Sequence, residues 1–263
     1  IHTDHTPGYG SAARYVASTV REITLDANVY DKKSVTIVEI MGRHAGWLTA
    51  ASALARKYEN DNPLLIYLPE TPFDPKAFLE KVEASFEKNC NVVVCVSEGI
   101  KDENGTFICE YDNSVGTDTF GHKLLAGCGK YLENLVRSRL GVKARSIELN
   151  VNQRCSASLF SDTDRQEAIA AGIFGVQAAL QGETGKMVSF QRQDTPDGVY
   201  QMKCVLKDVN EICNQEKKIP LSWITEDGAN ITEDFIRYAR PLIQGNVELP
   251  MGDDGLPICV YRK

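Results

Sequence analysis

The sequence lacks the features of membrane proteins and of extended nucleic-acid-binding surfaces. No apolar run approaches the roughly 20 residues needed to cross a bilayer, and the first residues do not resemble a signal peptide. The net charge is −7, and no segment is dense in lysine or arginine, which argues against a nucleic-acid surface. These absences predict a soluble, cytoplasmic chain that binds neither membranes nor nucleic acid.

Paired cysteines and metal-ligand motifs are also scarce. The chain has eight cysteines but no C-x-x-C pair, a pattern typical of buried thiols in a reducing compartment rather than of a disulfide framework or a zinc site. His2, Asp4 and His5 have the residue types of metal ligands, but a polar loop leading into a helix is the favoured interpretation. No metal site is predicted in this chain.

Apolar strands alternate with helices along the chain. Strands are predicted at residues 35–40, 64–68, 91–97, 144–150, 185–190 and 199–206, and helices at 11–28, 47–58, 74–88, 120–139, 162–181 and 232–242. A hairpin is predicted around Asn104-Gly105, and an N-cap is predicted in the cluster from Asp162 to Asp164. Buried strands separated by helices indicate parallel βαβ units. The predicted fold class is α/β, with a doubly wound, mostly parallel sheet.

Polar residues stand at the ends of several predicted strands, where doubly wound sheets bind ligands. Met41-Gly42-Arg43 leads from one strand into a predicted helix N-terminus, which favours phosphate or carboxylate, and a guanidinium adds bidentate recognition. Glu98 follows another strand. Arg145 enters a third strand, which Gln153 and Arg154 follow. Guanidinium groups for an anion and a carboxylate for hydroxyls together suggest a phosphorylated sugar.

Other interpretations remain open from the pattern alone. Each arginine could form a surface ion pair, Glu98 could cap a helix, and His44 could be a packed or capping residue. A dinucleotide site is weakened, because Gly42 and Gly46 lack the middle glycine of the fingerprint. Glu70 nevertheless stands where a ribose-binding acid would be expected. No Gly-Lys-Ser/Thr of a Walker A motif occurs.

Four separated segments resemble the phosphofructokinases. "VEIMGRHAGW" is similar to the fructose 6-phosphate-binding segment of that family, and "TDHTPGYGSA", "VVVCVSEGI" and "IELNVNQRCSA" follow the family in the same order. "LIYLPE" and "SEGIKDENG" resemble the pyrophosphate-dependent branch. The resemblance implies a phosphofructokinase-like fold in which residues 1–150 form mainly the sugar-phosphate domain. Residues 151–263 would return to an incomplete donor domain and form the C-terminal tail.

The resemblance also implies residue roles. Met41, Gly42 and Arg43 would bind the sugar phosphate, and Glu98 would accept hydrogen bonds from its hydroxyls. The other substrate-binding positions of the family correspond to Arg145, Val151, Gln153 and Arg154 in this sequence. Gln153 and Arg154 would lie near the 6-phosphate, and Arg145 would reach it from a neighbouring subunit of a homo-oligomer. Val151 replaces a histidine or tyrosine common in relatives, and Ser34 replaces a subunit-crossing arginine of bacterial ATP-dependent relatives.

The implied glycolytic reaction is phosphoryl transfer to the 1-hydroxyl of fructose 6-phosphate, giving fructose 1,6-bisphosphate with pyrophosphate as donor. The family's Gly-Gly-Asp-Gly and Thr-Ile-Asp-Asn-Asp segments are not in this sequence and are expected upstream. We therefore expect no catalytic residue and no Mg²⁺ ligand here, and an open apolar face on the helix 162–181. ATP as donor is the runner-up, and a non-catalytic sugar-phosphate-binding or regulatory subunit is a further alternative.

Overall fold

The computed structural model describes residues 3–111, 127–193, 195, 198–213 and 215–258. Its helices and strands are, in chain order, α1 (Tyr9–Ala27), β1 (Ser34–Ile40), α2 (Trp47–Ala51), β2 (Leu65–Tyr67), α3 (Pro75–Ser85), β3 (Asn91–Ser97), α4 (Cys128–Leu140), β4 (Lys143–Glu148), α5 (Asp162–Leu180), β5 (Lys186–Gln193), β6 (Gln201–Asp208), α6 (Val209–Ile212) and α7 (Glu233–Ala239). The chain forms two compact units. We call Val16–Val151 with Glu216–Tyr238 the sheet unit, and Ile1–Tyr15, Asn152–Gln215 and Ala239–Lys263 the helix unit.

The sheet unit is built on four parallel strands in the order β2-β3-β1-β4. Every residue of β3 is buried, as are six of the seven residues of β1. Such strands need cover on both faces, which explains their continuous valine and isoleucine runs. Because all four strands are parallel, their carboxyl ends meet at one edge.

Helices cover both faces of this sheet. On one face, Phe78 of α3 and Leu132 of α4 join a core cluster with Ile37 and Val94. The opposite face carries Cys95, whose thiol bonds to Ser52 just after α2. This arrangement is the predicted doubly wound α/β sheet.

The helix predicted at residues 47–58 is much shorter than expected. It ends at Ala51, continues as a 3₁₀ turn to Ala55, and becomes extended at Arg56. There the Arg56 guanidinium donates to the Pro63 carbonyl and to Asn230 Oδ1, each at 2.8 Å. The apolar spacing of the sequence carries no sign of these distant partners, so the predicted helical end was wrong.

One other local prediction needs correction, and a second lies partly outside the described residues. The expected hairpin at Asn104-Gly105 is a single antiparallel bridge between Lys101 and Phe107, with a turn held by the Asp102 carboxylate. The predicted helix 120–139 lies partly outside the described residues, and its described part is α4. The other helices and strands begin and end within a few residues of their predicted bounds.

The helix unit contains α5 and the antiparallel pair β5–β6. The N-cap of α5 is Ser161, not the acidic cluster that follows it. Asp164 instead accepts hydrogen bonds from the backbone N–H groups of Gly8 and Ser11, at 2.7 and 3.0 Å. Because the Asp164 carboxylate accepts these two N–H groups, the Ser161 hydroxyl makes the N-cap hydrogen bond of α5.

One side of α5 is apolar and exposed within the described structure. The exposed side chains recur at helical spacing and are Ile169, Ile173, Val176 and Leu180. Residues three and four positions apart share one helix face, so this stripe is continuous. The open apolar face expected for this helix is therefore present.

Candidate functional site

The carboxyl ends of β1 and β3 are joined into one structure. The Glu98 N–H donates to the Ile40 carbonyl at 3.0 Å, and the Ser97 hydroxyl donates to the Gly42 carbonyl at 2.6 Å. The Glu98 carboxylate accepts the Gly42 N–H at 3.3 Å. The predicted segments Met41-Gly42-Arg43 and Glu98 are thus brought together at the sheet edge.

Two glycines make this close approach possible. A Cβ on Gly99 would lie 2.0 Å from the Arg43 carbonyl oxygen and 2.7 Å from its Cα. A Cβ on Gly42 would lie 2.5 Å from the Ser97 hydroxyl oxygen. These distances are shorter than any normal contact between a Cβ and another heavy atom. Only glycine at these two positions therefore lets the two turns pack together.

The edge also combines opposite charges. Burial raises the pKa of Glu98, while the bond from Gly42 and the positive charge of Arg43 act in the opposite direction. Among the described residues, no side chain forms a hydrogen bond or ion pair with the exposed Arg43 guanidinium. An exposed guanidinium that follows directly on a residue bonded to a carboxylate suits a ligand that carries both an anion and hydroxyls.

The helix after Arg43 does not supply the expected anion site. The helix α2 has only five residues, and the N–H of its N-cap Gly46 donates to both oxygens of Glu70, at 3.0 and 3.2 Å. A carboxylate from the chain already occupies the positive helix end. Glu70 is therefore a backbone acceptor, and its interpretation as a ribose-binding acid is wrong.

Further acceptors line the same edge and were missed from the sequence. A small cavity of about 80 Å³ is lined by Glu39, Ile40, Met41, Glu98, Glu148 and Asn150. Burial raises the pKa of Glu39, whose carboxylate accepts the N–H of Gly129 at 2.7 Å near the start of α4. The sequence did carry a sign of this acceptor, because Glu39 is a charged residue inside the apolar run "VTIVEI".

Arg145 lies away from this edge. It pairs with Thr36 in the register of β1 and β4, roughly 13 Å along the strand from Ile40 at 3.3 Å per residue. Its guanidinium donates to Thr36 Oγ1 at 3.2 Å and to Asp26 at 3.0 Å. It lines a 650 Å³ cavity at the amino end of the strands, together with Lys32 and Lys143.

The remaining predicted residues lie on both sides of the unit boundary. Val151 is half exposed and ends the first long segment of the sheet unit. Gln153 is buried and Arg154 is exposed, both within a 3₁₀ turn of the helix unit. No described side chain bonds to the Arg154 guanidinium. The convergence of Arg43 and Arg154 on one ligand stays a prediction.

Two histidines, His44 and His5, lie among the described residues, and each bonds to carboxylates of its own unit. His44 Nδ1 bonds to Glu216 at 2.5 Å in the exposed part of the sheet unit. His5 is buried in the helix unit and contacts Asp4 at 2.9 Å and Glu167 at 2.7 Å, while His2 lies outside the described residues. Within the described ranges no three His, Cys, Asp or Glu side chains are placed to hold a metal ion, so Mg²⁺ is not assigned to them.

Comparison with known proteins identifies the family of this chain. The family model described as phosphofructokinase matches residues 1–179. The chain belongs to the phosphofructokinase family. A pyrophosphate–fructose 6-phosphate 1-phosphotransferase of Xanthomonas campestris is 42% identical over 263 residues, covering 99% of this chain and 62% of the relative. An ATP-dependent 6-phosphofructokinase of Streptomyces coelicolor is 32% identical over 212 residues, covering 78% and 59%.

Solved structures give the same fold. A pyrophosphate-dependent phosphofructokinase from Marinobacter aquaeolei superposes with a TM-score of 0.84 at 33% identity, covering 100% of this chain and 63% of that one. The predicted family and the α/β class are confirmed. The chain spans about three fifths of the length of the curated relatives it matches. No helix among the described residues is long and apolar enough to cross a membrane.

Proposed function

We propose that the intact protein carrying this chain transfers a phosphoryl group from pyrophosphate to the 1-hydroxyl of fructose 6-phosphate. This chain supplies the acceptor-sugar side of that site. The observation that carries the proposal is the joined edge of β1 and β3, where the Gly42 N–H donates to the Glu98 carboxylate and the next residue, Arg43, is exposed and acts on Glu98 by its positive charge. Arg43 would bind the phosphate, and Glu98 would accept hydrogen bonds from sugar hydroxyls.

Reactions of this type depend on holding the acceptor in line with the donor and neutralising charge. In this chain, Met41, Gly42, Arg43 and Glu98 bind and orient the sugar. Gln153, Arg154 and Val151 would complete the phosphate end. Mg²⁺ would neutralise charge on the donor, and its ligands are expected outside this chain.

Pyrophosphate is the proposed donor because four pyrophosphate–fructose 6-phosphate 1-phosphotransferases align with 92–99% of this chain at 37–42% identity. The ATP-dependent relative is less similar. Cytoplasmic location is part of the proposal, since the seven cysteines of the described ranges are free thiols. Neither nucleic acid nor a membrane is a proposed partner.

Binding to the chain itself tests the acceptor site. Calorimetric titration with fructose 6-phosphate should show saturable binding, and fructose should bind far more weakly. Arg43→Ala should remove most of the difference in affinity between the two sugars. The exposed Arg240→Ala provides a matched control. Equal affinities for fructose and its phosphate would overturn the proposal. Full turnover by the isolated 263 residues would refute the assignment of catalytic groups to other parts of the protein.

The placement of Arg145 supports a homo-oligomer in which this residue completes a neighbour's phosphate site. It lies at the opposite end of the strands from Arg43 and lines an open cavity. In the intact native protein, Arg43→Ala and Arg145→Ala should each be nearly inactive, and mixed oligomers should regain activity. Regain is expected because some sites in the mixture contain both arginines. Its absence would place Arg145 outside the site.

A non-catalytic sugar-phosphate-binding subunit remains the second candidate. It predicts that fructose 6-phosphate binds while no donor site is present anywhere in the native polypeptide. Reading the coding sequence upstream of Ile1 separates the two candidates, because a donor loop there supports the enzyme.

A further inference from the structure

Glu70 ties three segments of the sheet unit together. It follows β2 and Pro69, and its Oε1 atom accepts the N–H of Gly46 and the N–H of Ile219, each at 3.0 Å. Gly46 belongs to the turn that carries Arg43. Ile219 belongs to residues 216–219, which we call the strap. One carboxylate therefore connects the sheet, the Arg43 turn and the strap.

The strap also contacts the Arg43 turn at two other points. The Trp47 indole N–H donates to the Lys217 carbonyl at 2.7 Å, and the Lys217 ammonium lies 5.6 Å from the centre of the Trp47 ring. His44 Nδ1 bonds to Glu216. The residues directly after Arg43 are thus held both by the strap and by Glu70.

The turn has little room to rearrange around Glu70. A Cβ on Gly46 would lie 2.7 Å from Leu68 Cδ2 and 3.0 Å from Glu70 Oε2. Burial raises the pKa of Glu70, while the bonds from Gly46 and Ile219 lower it. A partly buried carboxylate is costly unless its donors stay in place, so its presence indicates a defined position for the turn.

We propose that Glu70 is a positioning residue for sugar-phosphate binding, holding the Arg43 turn through Gly46 and the strap through Ile219. This inference rests on the proposed acceptor site. Glu70 touches no substrate in this role. It fixes the backbone from which the Arg43 guanidinium projects, so it acts on affinity for the phosphorylated sugar through Arg43.

Glu70→Gln is the informative variant, because it keeps the shape while placing an NH₂ group where a second acceptor oxygen was. Fructose 6-phosphate affinity, measured by calorimetry on the native protein, should fall roughly tenfold, as expected for loss of a charge-assisted hydrogen bond. Glu226→Gln, an exposed change in the same unit, should have no effect. Glu70→Asp shortens the side chain and so moves the carboxylate away from the Gly46 N–H. This variant should bind fructose 6-phosphate as weakly as Glu70→Gln.

A double-mutant cycle separates positioning from a general structural role. In the Arg43→Ala background, Glu70→Gln should have little further effect on sugar-phosphate affinity. The inference is overturned if the tenfold loss persists in that background, or if both Glu70 variants bind as the native protein does. Absence of binding by the native protein would instead refute the acceptor site itself, so the two failures are distinguishable.

Discussion

The two units use different means of holding their chain segments together. The sheet unit has a dense apolar core in which Phe78, Ile37 and Val94 are fully buried. The described interior of the helix unit relies on buried polar groups such as Asp164, His5 and Glu167. Its longest helix meanwhile exposes an apolar stripe. One unit thus packs around a large apolar cluster, whereas the described part of the other combines a smaller apolar interior with buried, hydrogen-bonded carboxylates and a histidine.

The largest effect is expected in the sheet unit. Phe78→Ala should lower the free energy of unfolding by about 3–5 kcal/mol, because it removes a fully buried ring and leaves a cavity. Urea unfolding followed by tryptophan fluorescence measures this, since Trp47 and Trp223 both belong to that unit. A loss below about 1 kcal/mol would show that the cluster is not the dominant core.

A smaller but still large effect is expected from a polar group in the helix unit. Asp164→Ala should cost about 2–3 kcal/mol, because it leaves the N–H groups of Gly8 and Ser11 without their acceptor. Hydrogen exchange at those two amides should rise. Asp162→Ala is the matched control, since the side-chain partners of Asp162 among the described residues are the exposed Arg165 and Gln166.

The next effect depends on pH. Burial alone would lower the pKa of His5, but hydrogen bonds to Asp4 and Glu167 raise it above its ordinary value near 6.5. The stabilisation from charged His5 is therefore complete below about pH 6.5 and is lost as pH rises through the raised pKa. The stability difference between the native chain and His5→Gln should shrink with rising pH in urea titrations. A constant difference would contradict the charged network.

The smallest effect is expected on the exposed stripe of α5. Ile173→Ala should change stability of this chain by no more than about 0.5 kcal/mol, because the side chain is already more than half exposed. Thermal unfolding checks this. A loss near 2 kcal/mol would show that the stripe is covered, as in a self-associated chain, and would remove the contrast between the units.

Local sequence explains much of the sheet unit. Strand β3 was predicted at its observed bounds, and the residue at which a helix was predicted to begin, Asp74, is the N-cap of α3. Both features depend on neighbouring residues only. The early end of α2 depends instead on Arg56 reaching Pro63 and Asn230, which no local pattern reveals.

The same limit applies to the candidate site. The rule that ligands bind at strand ends correctly placed Arg43 and Glu98 at one edge. Arg145 lies near the other end, as its place at the entry of the predicted strand 144–150 implies, and the register between β1 and β4 sets it beside Thr36. Glu70 was misread because its partners Gly46 and Ile219 are 24 and 149 residues away in sequence.

Glycine at position 99 limits how the carboxyl edge of β1 and β3 can be redesigned. Because the Arg43 backbone fills the space beside Gly99, neither turn can be remodelled independently of the other. A library aimed at a new acceptor sugar would have to vary residues 41–43 and 97–99 jointly, with glycine retained at 99. Libraries that vary one segment alone should yield mostly inactive members.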